Sequence, residues 1–183
     1  MQEPVDQWLN NKDEQGENIL EKFYKNQEKY AFPFQMIAYI SLLHLIRETV
    51  KKHPGKIIIT ERCPHTDKYV FAQMLYDDKK IETVCYNIYN SWFDAYLEDF
   101  SFEKVIYINA DPETCYDRIG KRSRQGETIP LAYLQRCHTY HEKWLKNGKY
   151  NVTELDGNQE FEHDKEIFDK WKQIIKELYC QKN

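Results

Sequence analysis

The hydrophobic positions along the chain form long helical patterns that alternate with short, uniformly apolar runs. The longest pattern, "FPFQMIAYISLLHLIRETVKK" (32–52), places apolar residues on more than one face of a predicted helix. "HPG" at 53–55 ends that helix, and "KIIIT" (56–60) follows as a β-branched run typical of a parallel strand covered on both faces. "KVIYIN" (104–109) repeats this strand pattern. Apolar runs of this kind between helices predict a parallel sheet.

The remaining patterns complete an alternation of strands and helices. "YNVTELD" (150–156) is a third predicted strand. Further helices are predicted over 66–76 and 81–98, after Asp111, after Pro130, and at the end of the chain, where one face carries Ile167, Trp171, Ile174 and Leu178. We therefore predict an α/β fold, with a parallel sheet flanked by helices, and a single domain over 1–183.

Composition narrows the class of protein. Of the 183 residues, 41% are hydrophobic and 15% are aromatic, which is typical of a globular domain. The five cysteines include no C-x-x-C pair, which favours a reducing compartment over a disulfide framework or a structural zinc site. A net charge of -4 gives no general attraction to nucleic acid, and no apolar stretch is long enough to cross a bilayer. These features predict a soluble intracellular protein without nucleic-acid or membrane partners.

An acid and an arginine follow the first predicted strand directly. "TERCPHTDKYVF" (60–71) places Glu61 and Arg62 immediately after the apolar run 56–60. Ligands of open parallel sheets bind outside the carboxyl ends of the strands. This position favours a functional site, and the alternative is an ion pair that caps the next helix.

A basic cluster lies further along the chain. "RIGKRSRQGE" (118–127) places Arg118 and Arg122 one helical turn apart, with Arg124 just beyond them. Guanidinium groups that converge on one point repel each other unless an anion lies between them, and their geometry matches phosphate. The alternative is a solvated basic face. In "HTYH" (138–141), helix packing explains the two histidines better than a metal site does, because no third ligand is evident.

The chain resembles the deoxynucleoside kinase family in four motifs that cover most of its length. In order, these motifs are "EPVDQW" (3–8), "LEKFYKNQEKYAFPFQ" (20–35), "ERCPHTDKYVFAQMLY" (61–76) and "DPETCYDRIGKRSRQGETIPLAYLQRCHTYHEKWL" (111–145). The family phosphorylates the 5′-hydroxyl of deoxynucleosides with ATP or another nucleoside triphosphate, in nucleotide salvage. The resemblance implies a P-loop-kinase-like sheet, Mg²⁺ and ATP as co-substrate, and a homodimer formed through the helices of 32–52 and 81–98.

The resemblance also implies roles for individual residues. Glu3 would be the general base that accepts the proton of the 5′-hydroxyl, a role that needs only a positioned carboxylate. Arg62 would steady that carboxylate and the attacking oxygen, and Glu61 would help to hold Mg²⁺. Gln35, which has a donor and an acceptor side by side, would read the edge of the base.

Other residues are assigned by the same resemblance to the nucleoside pocket and to a lid over the phosphates. They are Trp8, Phe34 and Phe71 for packing against the base, Tyr24 and Glu127 for the sugar 3′-hydroxyl, and Arg118, Arg122 and Arg124 for the lid. The lid would neutralise charge on the transferring phosphoryl group.

The sequence departs from the family pattern near the base. Members that favour deoxycytidine and purines carry an arginine at the position of Leu42, paired with the acid that matches Asp67. Thymidine-accepting members have an apolar residue at the first position and a small one at the second, so the base preference stays open. Without that arginine, Asp67 has to pair with Lys68, water or the base itself. The lid between Arg124 and Ile129 is also one residue shorter than in the family.

A phosphate loop is absent from this sequence. The G-x-x-x-x-G-K-[ST] motif, which cradles the donor phosphates in the family, does not occur in the 183 residues. The chain carries Glu3-Pro4 near its start, a pair typical of the end of a strand. We therefore predict a deoxynucleoside kinase domain that is truncated at its amino terminus, with the first βα unit missing, and that needs a phosphate loop for turnover.

Two alternatives to this interpretation stay open, as does the place of action. One is a non-catalytic nucleoside-binding or dimerisation remnant of a kinase, and the other is a thymidylate kinase-like enzyme, which would act on a monophosphate. We expect a cytoplasmic protein, with a mitochondrial location open if an amino-terminal segment is missing.

Overall fold

Helices dominate the structure, a computed structural model that describes residues 1–97, 102, 104–122, 129–160 and 164–180. In chain order the elements are α1 (Val5–Asn10), α2 (Ile19–Lys25), α3 (Gln27–Lys52), α4 (Pro64–Thr66), a π-helix (Asp67–Ala72), α5 (Gln73–Asp77), α6 (Thr83–Leu97), β1 (Val105–Asn109), α7 (Pro112–Arg122), α8 (Leu131–Leu145), β2 (Val152–Asp156) and α9 (Lys165–Cys180).

The two strands pair in parallel, as predicted. Val105 lies opposite Val152 at one end of the pair, and Asn109 lies opposite Asp156 at the other. α7 and α8 connect the strands, which is the kind of crossover that a parallel pair requires. A helix-rich chain with a small parallel sheet confirms the predicted α/β, kinase-like fold.

The prediction of a strand over 56–60 is wrong for this structure, in which that segment has no regular secondary structure. Its only strand-like pairing within the described ranges is with the first residue: the Met1 amino group donates to the Ile59 carbonyl (2.8 Å), and the Glu61 amide donates to the Met1 carbonyl (2.9 Å). Ile57 and Ile59 remain exposed. The apolar pattern reports which side chains favour burial, but a strand also needs a neighbour that pairs with its backbone.

α3 begins earlier than the apolar pattern indicated and organises the core. The Asn26 side chain accepts a hydrogen bond from the Lys29 amide (3.1 Å) and caps the helix, so that it begins at Gln27 rather than at 32. The core residues on α3 and its neighbours form an aromatic cluster with Phe34 stacked on Phe23, ring centroids 4.6 Å apart. This packing fixes the orientation of α3 relative to α2.

The helical segment that follows Arg62 changes pitch within its length. The prediction of a helix over 66–76 is confirmed in kind, but the turns from Asp67 to Ala72 are π-helical, between the short α4 and α5. π-helical turns are uncommon and occur frequently at functional sites. Asp67 is the first residue of this stretch.

Among the residues that the structure describes, no helix has the length and apolar character needed to cross a membrane.

Candidate functional site

Glu3 and Arg62 form the centre of the site. Glu3 precedes α1 and Arg62 precedes α4, and Arg62 Nη1 donates to both Glu3 carboxylate oxygens at 2.8 Å. The Glu3 side chain is 9% exposed and that of Arg62 is 43% exposed. One nitrogen serves both oxygens, so the contact with Glu3 leaves Nε and Nη2 unused. The pair therefore presents guanidinium donors toward solvent, where an anion can reach them.

Three further features hold Arg62 in place. Its backbone has φ 58°, in the left-handed region that residues with a side chain rarely adopt. The Thr60 hydroxyl donates to the Arg62 carbonyl at 2.6 Å. The guanidinium lies over the Phe71 ring, 5.0 Å from its centroid. Strained backbone of this kind concentrates at functional sites, and no feature of the sequence indicated it.

Glu61 lies next to this pair and is exposed. Its Oε2 accepts a hydrogen bond from the Glu3 amide at 3.4 Å. No group of three or more His, Cys, Asp or Glu residues within the described ranges could hold a metal ion. Mg²⁺ in phosphate-transferring sites often takes only one or two carboxylates, with water and substrate phosphates as its other ligands. One exposed carboxylate beside the Glu3–Arg62 pair fits that requirement.

The predicted base-contacting residues on α1 and α3 lie together in the core. The edge of the Trp8 ring meets the Phe34 ring, with centroids 5.5 Å apart, and the Trp8 indole donates to Ser41 Oγ at 2.9 Å. Gln35 is only 3% exposed, and its Oε1 has no hydrogen-bond partner in the described part of the chain. Buried acceptors are nearly always satisfied, so this amide oxygen is a candidate ligand contact.

Asp67 is a buried acid, 4% exposed, at the start of the π-helix. Burial raises the pKa of its carboxyl to about 8, the nearby Glu3 carboxylate adds to the rise, and Arg62 opposes it. The described residues offer Asp67 no hydrogen bond or ion pair, because Lys68 pairs instead with Asp94 at 2.7 Å. Of the partners expected for Asp67, Lys68 is therefore excluded.

α8 covers the site from the other side. His141 lies between two aromatic rings, with centroid distances of 6.2 Å to Phe71 and 6.1 Å to Tyr107, and its Nδ1 lies 2.8 Å from the Cys137 carbonyl oxygen. Burial raises the pKa of the Cys137 thiol to about 12, although Arg62 lies close enough to oppose the rise. Sequence reasoning missed the contribution of this helix face, because its residues resemble ordinary core positions.

The predicted lid is only partly described. Arg118 donates to the backbone carbonyls of Gly157 (Nη1, 2.6 Å) and Gln159 (Nη2, 3.0 Å), in the loop after β2. Arg122 is the last residue of α7. Arg124 and Glu127 lie outside the described residues. The phosphate-binding role of the lid therefore stays a prediction.

The structure brings some of the predicted residues together and places others nearby. Glu3, Glu61 and Arg62 form one hydrogen-bonded group, with Phe71 under the guanidinium. Tyr24, half-buried on α2, packs against Phe23, whose ring stacks on Phe34, one of the predicted base-contacting residues in the core.

Sequence reasoning did not predict that the loop after β2 contacts Arg118 and the start of α7. The Asn158 side chain accepts a hydrogen bond from the Asp111 amide at 2.8 Å, next to the bonds that Arg118 makes. The "DGN" turn at 156–158 was the available signal for a loop placed at the carboxyl end of a strand.

Known proteins match nearly the whole chain. A family model described as "Deoxynucleoside kinase" matches residues 1–179. A probable deoxycytidine kinase of Fowlpox virus is 33% identical over 98% of this chain and 78% of its own length. Human mitochondrial thymidine kinase 2 is 36% identical over 80% of this chain and 54% of its own length. Human deoxycytidine kinase is 29% identical over 96% of this chain and 77% of its own length.

The fold and these matches define the class of protein as a kinase, a transferase of phosphoryl groups. The chain belongs to the deoxynucleoside kinase family. It spans about half the length of thymidine kinase 2 and about three quarters of the length of the other two relatives.

Proposed function

We propose that the protein transfers a phosphoryl group from ATP or another nucleoside triphosphate to the 5′-hydroxyl of deoxynucleosides, in the salvage of DNA precursors. The observation that carries this proposal is the Glu3–Arg62 pair, a nearly buried carboxylate held by a half-exposed guanidinium. Phosphoryl transfer needs a positioned nucleophile and stabilised charge more than covalent chemistry. In the pair, Glu3 would position the nucleophile and Arg62 would stabilise the charge.

In this proposal Glu3 is the general base. Its carboxylate accepts the proton of the 5′-hydroxyl as the oxygen attacks, because a carboxylate within hydrogen-bond reach suffices for that task. Arg62 holds Glu3 through Nη1 and directs Nε and Nη2 at the oxygens of the transferring group. The strained backbone and the Phe71 ring fix the guanidinium before substrate arrives.

The acceptor nucleoside would lie between α1, α3 and the π-helix. Trp8 and Phe34, which pack against each other, would form one wall of the pocket, and Phe71, which lies under Arg62, would form the other. The unpaired Oε1 of Gln35 would be satisfied by the edge of the base. Tyr24 on α2, together with Glu127, would hold the sugar 3′-hydroxyl.

The donor side would combine Mg²⁺, held partly by Glu61, with Arg118, Arg122 and Arg124 around the phosphates. The G-x-x-x-x-G-K-[ST] motif does not occur in these 183 residues. Because donor phosphates need such a cradle, turnover requires a phosphate loop in addition to the glutamates and arginines of this site. This observation also favours a second candidate function, nucleoside binding without turnover.

The test compares the 183-residue chain with the same chain preceded by a strand, phosphate loop and helix of the family type. We expect both forms to bind deoxynucleosides in calorimetry, and only the longer form to produce a 5′-monophosphate from labelled ATP. Glu3→Gln in the longer form should lower kcat by about 100-fold or more, as loss of a general base does. Turnover by the short chain would contradict the need for the loop, and activity on thymidine monophosphate alone would favour a thymidylate kinase.

We also propose a homodimer, formed through α3 and α6, and action in the cytoplasm. Exposed apolar side chains on both helices support the dimer. They are Ile40 and Val50 on α3 and Val84, Ile88 and Trp92 on α6. The location rests on the cysteine content alone, and fractionation of cells that express the tagged protein would test it.

A further inference from the structure

A series of three aromatic rings leads from the Glu3–Arg62 pair to the strand β1. The Arg62 guanidinium lies 5.0 Å from the centroid of the Phe71 ring, and the Phe71 ring lies 6.2 Å from the His141 ring, at 85° to it. The His141 ring stacks in turn on Tyr107, with centroids 6.1 Å apart and planes 6° apart. The π-helix, α8 and β1 therefore each contribute one ring to this series.

The middle ring, that of His141, is fixed in rotation as well as in place. Its Nδ1 lies 2.8 Å from the Cys137 carbonyl oxygen, and because a carbonyl can only accept, Nδ1 carries the hydrogen. Burial lowers the pKa of His141, the Cys137 carbonyl opposes this effect, and the nearby Arg62 guanidinium adds to the fall. His141 is thus a neutral ring that brings no second positive charge next to Arg62.

The far end of the series rests on the paired strands. Tyr107 lies opposite Glu154, in the middle of the parallel pair of β1 and β2. Burial raises the pKa of the Tyr107 hydroxyl above its usual value, and the carboxylate of Glu142 adds to the rise. Glu142 follows His141 directly on α8, so two neighbouring side chains of that helix meet Tyr107. Side chains supported by strands and helices are held more precisely than those on loops.

The guanidinium needs such support because its contact with Glu3 leaves one freedom. Both Glu3 oxygens accept from the single nitrogen Nη1, so the planar group can turn about that contact. The Phe71 ring underneath sets the plane of the guanidinium, provided that the ring keeps its own position. The contact that joins Phe71 to β1 runs through His141.

Resting on the proposed function, we propose that His141 is a positioning residue for phosphoryl transfer, which holds the Phe71 ring and thereby directs the free donors of Arg62 at the substrate phosphate. His141 itself touches neither the nucleoside nor the phosphate in this proposal. Misplacement of a catalytic group by a fraction of an ångström weakens the interactions that it makes with the reacting atoms. Loss of the His141 ring should therefore affect phosphate recognition and leave nucleoside recognition intact.

The test measures Kd by calorimetry for thymidine and deoxycytidine and for the 5′-monophosphate of each. The monophosphates carry a phosphate at the position that the transferred group occupies after the reaction. The ratio of the two affinities therefore reports how well Arg62 meets phosphate. Binding needs no phosphate donor, so the 183-residue chain serves as it is.

Two variants separate the ring of His141 from its hydrogen bond. His141→Asn keeps a donor for the Cys137 carbonyl and removes the ring, so monophosphate affinity should fall about tenfold, as for the loss of one hydrogen bond to a charged group, at unchanged nucleoside affinity. His141→Phe removes the donor and keeps the ring, so it should retain most of the wild-type ratio. A merely structural hydrogen bond predicts the opposite order. If His141→Asn does not fold, His141→Leu, which fills the site without a ring, decides by the same ratio.

His138→Leu is the matched control. His138 lies on the same helix and makes no ring contact with the residues that the structure describes, so both affinities should remain at their wild-type values. The failures differ in meaning. If the wild type binds no nucleoside and no monophosphate, the proposed function fails and this inference fails with it. If the wild type binds them but removal of the ring leaves the ratio unchanged or weakens both ligands equally, only the role of His141 is overturned. An equal fall in the ratio for His138→Leu would overturn it as well.

Discussion

Arg62 makes three separate contacts, and each of them limits where its guanidinium can point. Nη1 is bound to Glu3, the planar group lies over Phe71, and the backbone carbonyl accepts from Thr60. The left-handed backbone costs on the order of 1–3 kcal/mol and persists only where such contacts determine the position. A lysine would retain the charge but not the fork of donors.

The first prediction concerns that fork. In a form that carries a phosphate loop, Arg62→Lys should lower kcat by about 100-fold or more with little change in KM for the nucleoside, because the lost donors act on the transition state. Arg136→Lys is a matched control: Arg136 also pairs with an acid, Asp78, and lies 5.7 Å from the centroid of a ring, that of Tyr140, but outside the site. Steady-state kinetics with both variants checks the prediction, and equal losses would contradict it.

His65 and Asp67 are two residues apart and respond to pH in opposite directions. Burial, with Lys149 and Lys68 adding to it, lowers the pKa of His65 to about 4, while burial raises that of Asp67 to about 8. The unfolded chain therefore binds more protons at His65 between pH 4 and 6.5, and the native chain binds more at Asp67 between pH 4 and 8. The first effect raises the free energy of unfolding as pH rises, and the second lowers it.

The second prediction follows from this opposition. Over pH 4–6.5 the two effects should largely cancel, and over pH 6.5–8 the free energy of unfolding should fall as Asp67 alone titrates. His65→Phe, which suits the surrounding rings, should remove the first effect, so that stability falls steadily from pH 4 to 8, by up to roughly 1.4 kcal/mol per pH unit. Urea titrations at each pH measure this. His44→Gln, at an exposed position, should leave the wild-type profile unchanged, and a wild-type profile in His65→Phe would refute the assignment.

At the scale of elements, the loop after β2 and the helix α7 are joined at several points. Asn158 binds the Asp111 amide, and Arg118 binds the carbonyls of Gly157 and Gln159. Gly157 approaches β1 so closely that an added Cβ would lie 2.9 Å from Ile108 Cγ2 and 3.0 Å from the Asn109 carbonyl oxygen. The helix that leads into the predicted lid is thus positioned by a loop on the neighbouring strand.

The third prediction tests this close approach. Gly157→Ala should lower the free energy of unfolding by about 1–3 kcal/mol, because the new methyl group overlaps backbone and a packed side chain. Gly120→Ala, within α7, has open space at its Cβ and should be neutral or stabilise the protein by about 0.5–1 kcal/mol. Chemical denaturation of the two variants checks the contrast, and a loss of the same size at both positions would contradict it.

At the scale of the whole molecule, apolar side chains remain on the outside of α6. Val84, Ile88 and Trp92 recur every four residues and form one stripe, and the Trp92 ring stacks on Tyr96. A stripe of this width on one helix, with further apolar side chains on α3, fits an isologous helix–helix interface better than scattered surface positions.

The fourth prediction is that Trp92→Glu converts the proposed dimer to a monomer at micromolar concentration, as measured by sedimentation equilibrium. A charge at the centre of an apolar interface loses its hydration without gaining a partner. Phe168→Glu on α9 is the control, since Phe168 is 48% exposed and Trp92 is 50% exposed. A monomeric wild type, or dissociation by the control variant, would contradict an interface on α6.

The sequence alone determined the features that depend on local chemistry. Periodicity and caps located α6, α7, α8 and α9, and the apolar runs at 104–109 and 150–156 became β1 and β2. The grouping of Glu3 with Glu61 and Arg62 is not local: it was implied by the resemblance of the ordered motifs to the deoxynucleoside kinase family, and the structure brings the three residues together.

Only the tertiary structure decided the features that depend on distant neighbours. The run at 56–60 has the side chains of a strand, yet among the described residues its backbone meets only Met1, and pairing requires a partner that no local pattern encodes. Burial and the proximity of Glu3 determine the protonation of Asp67, which its sequence context left open between several partners. The partners of Arg118 in the loop after β2 depend likewise on how two strands bring separate segments together, since a side chain's contacts are settled by packing rather than by its position along the chain.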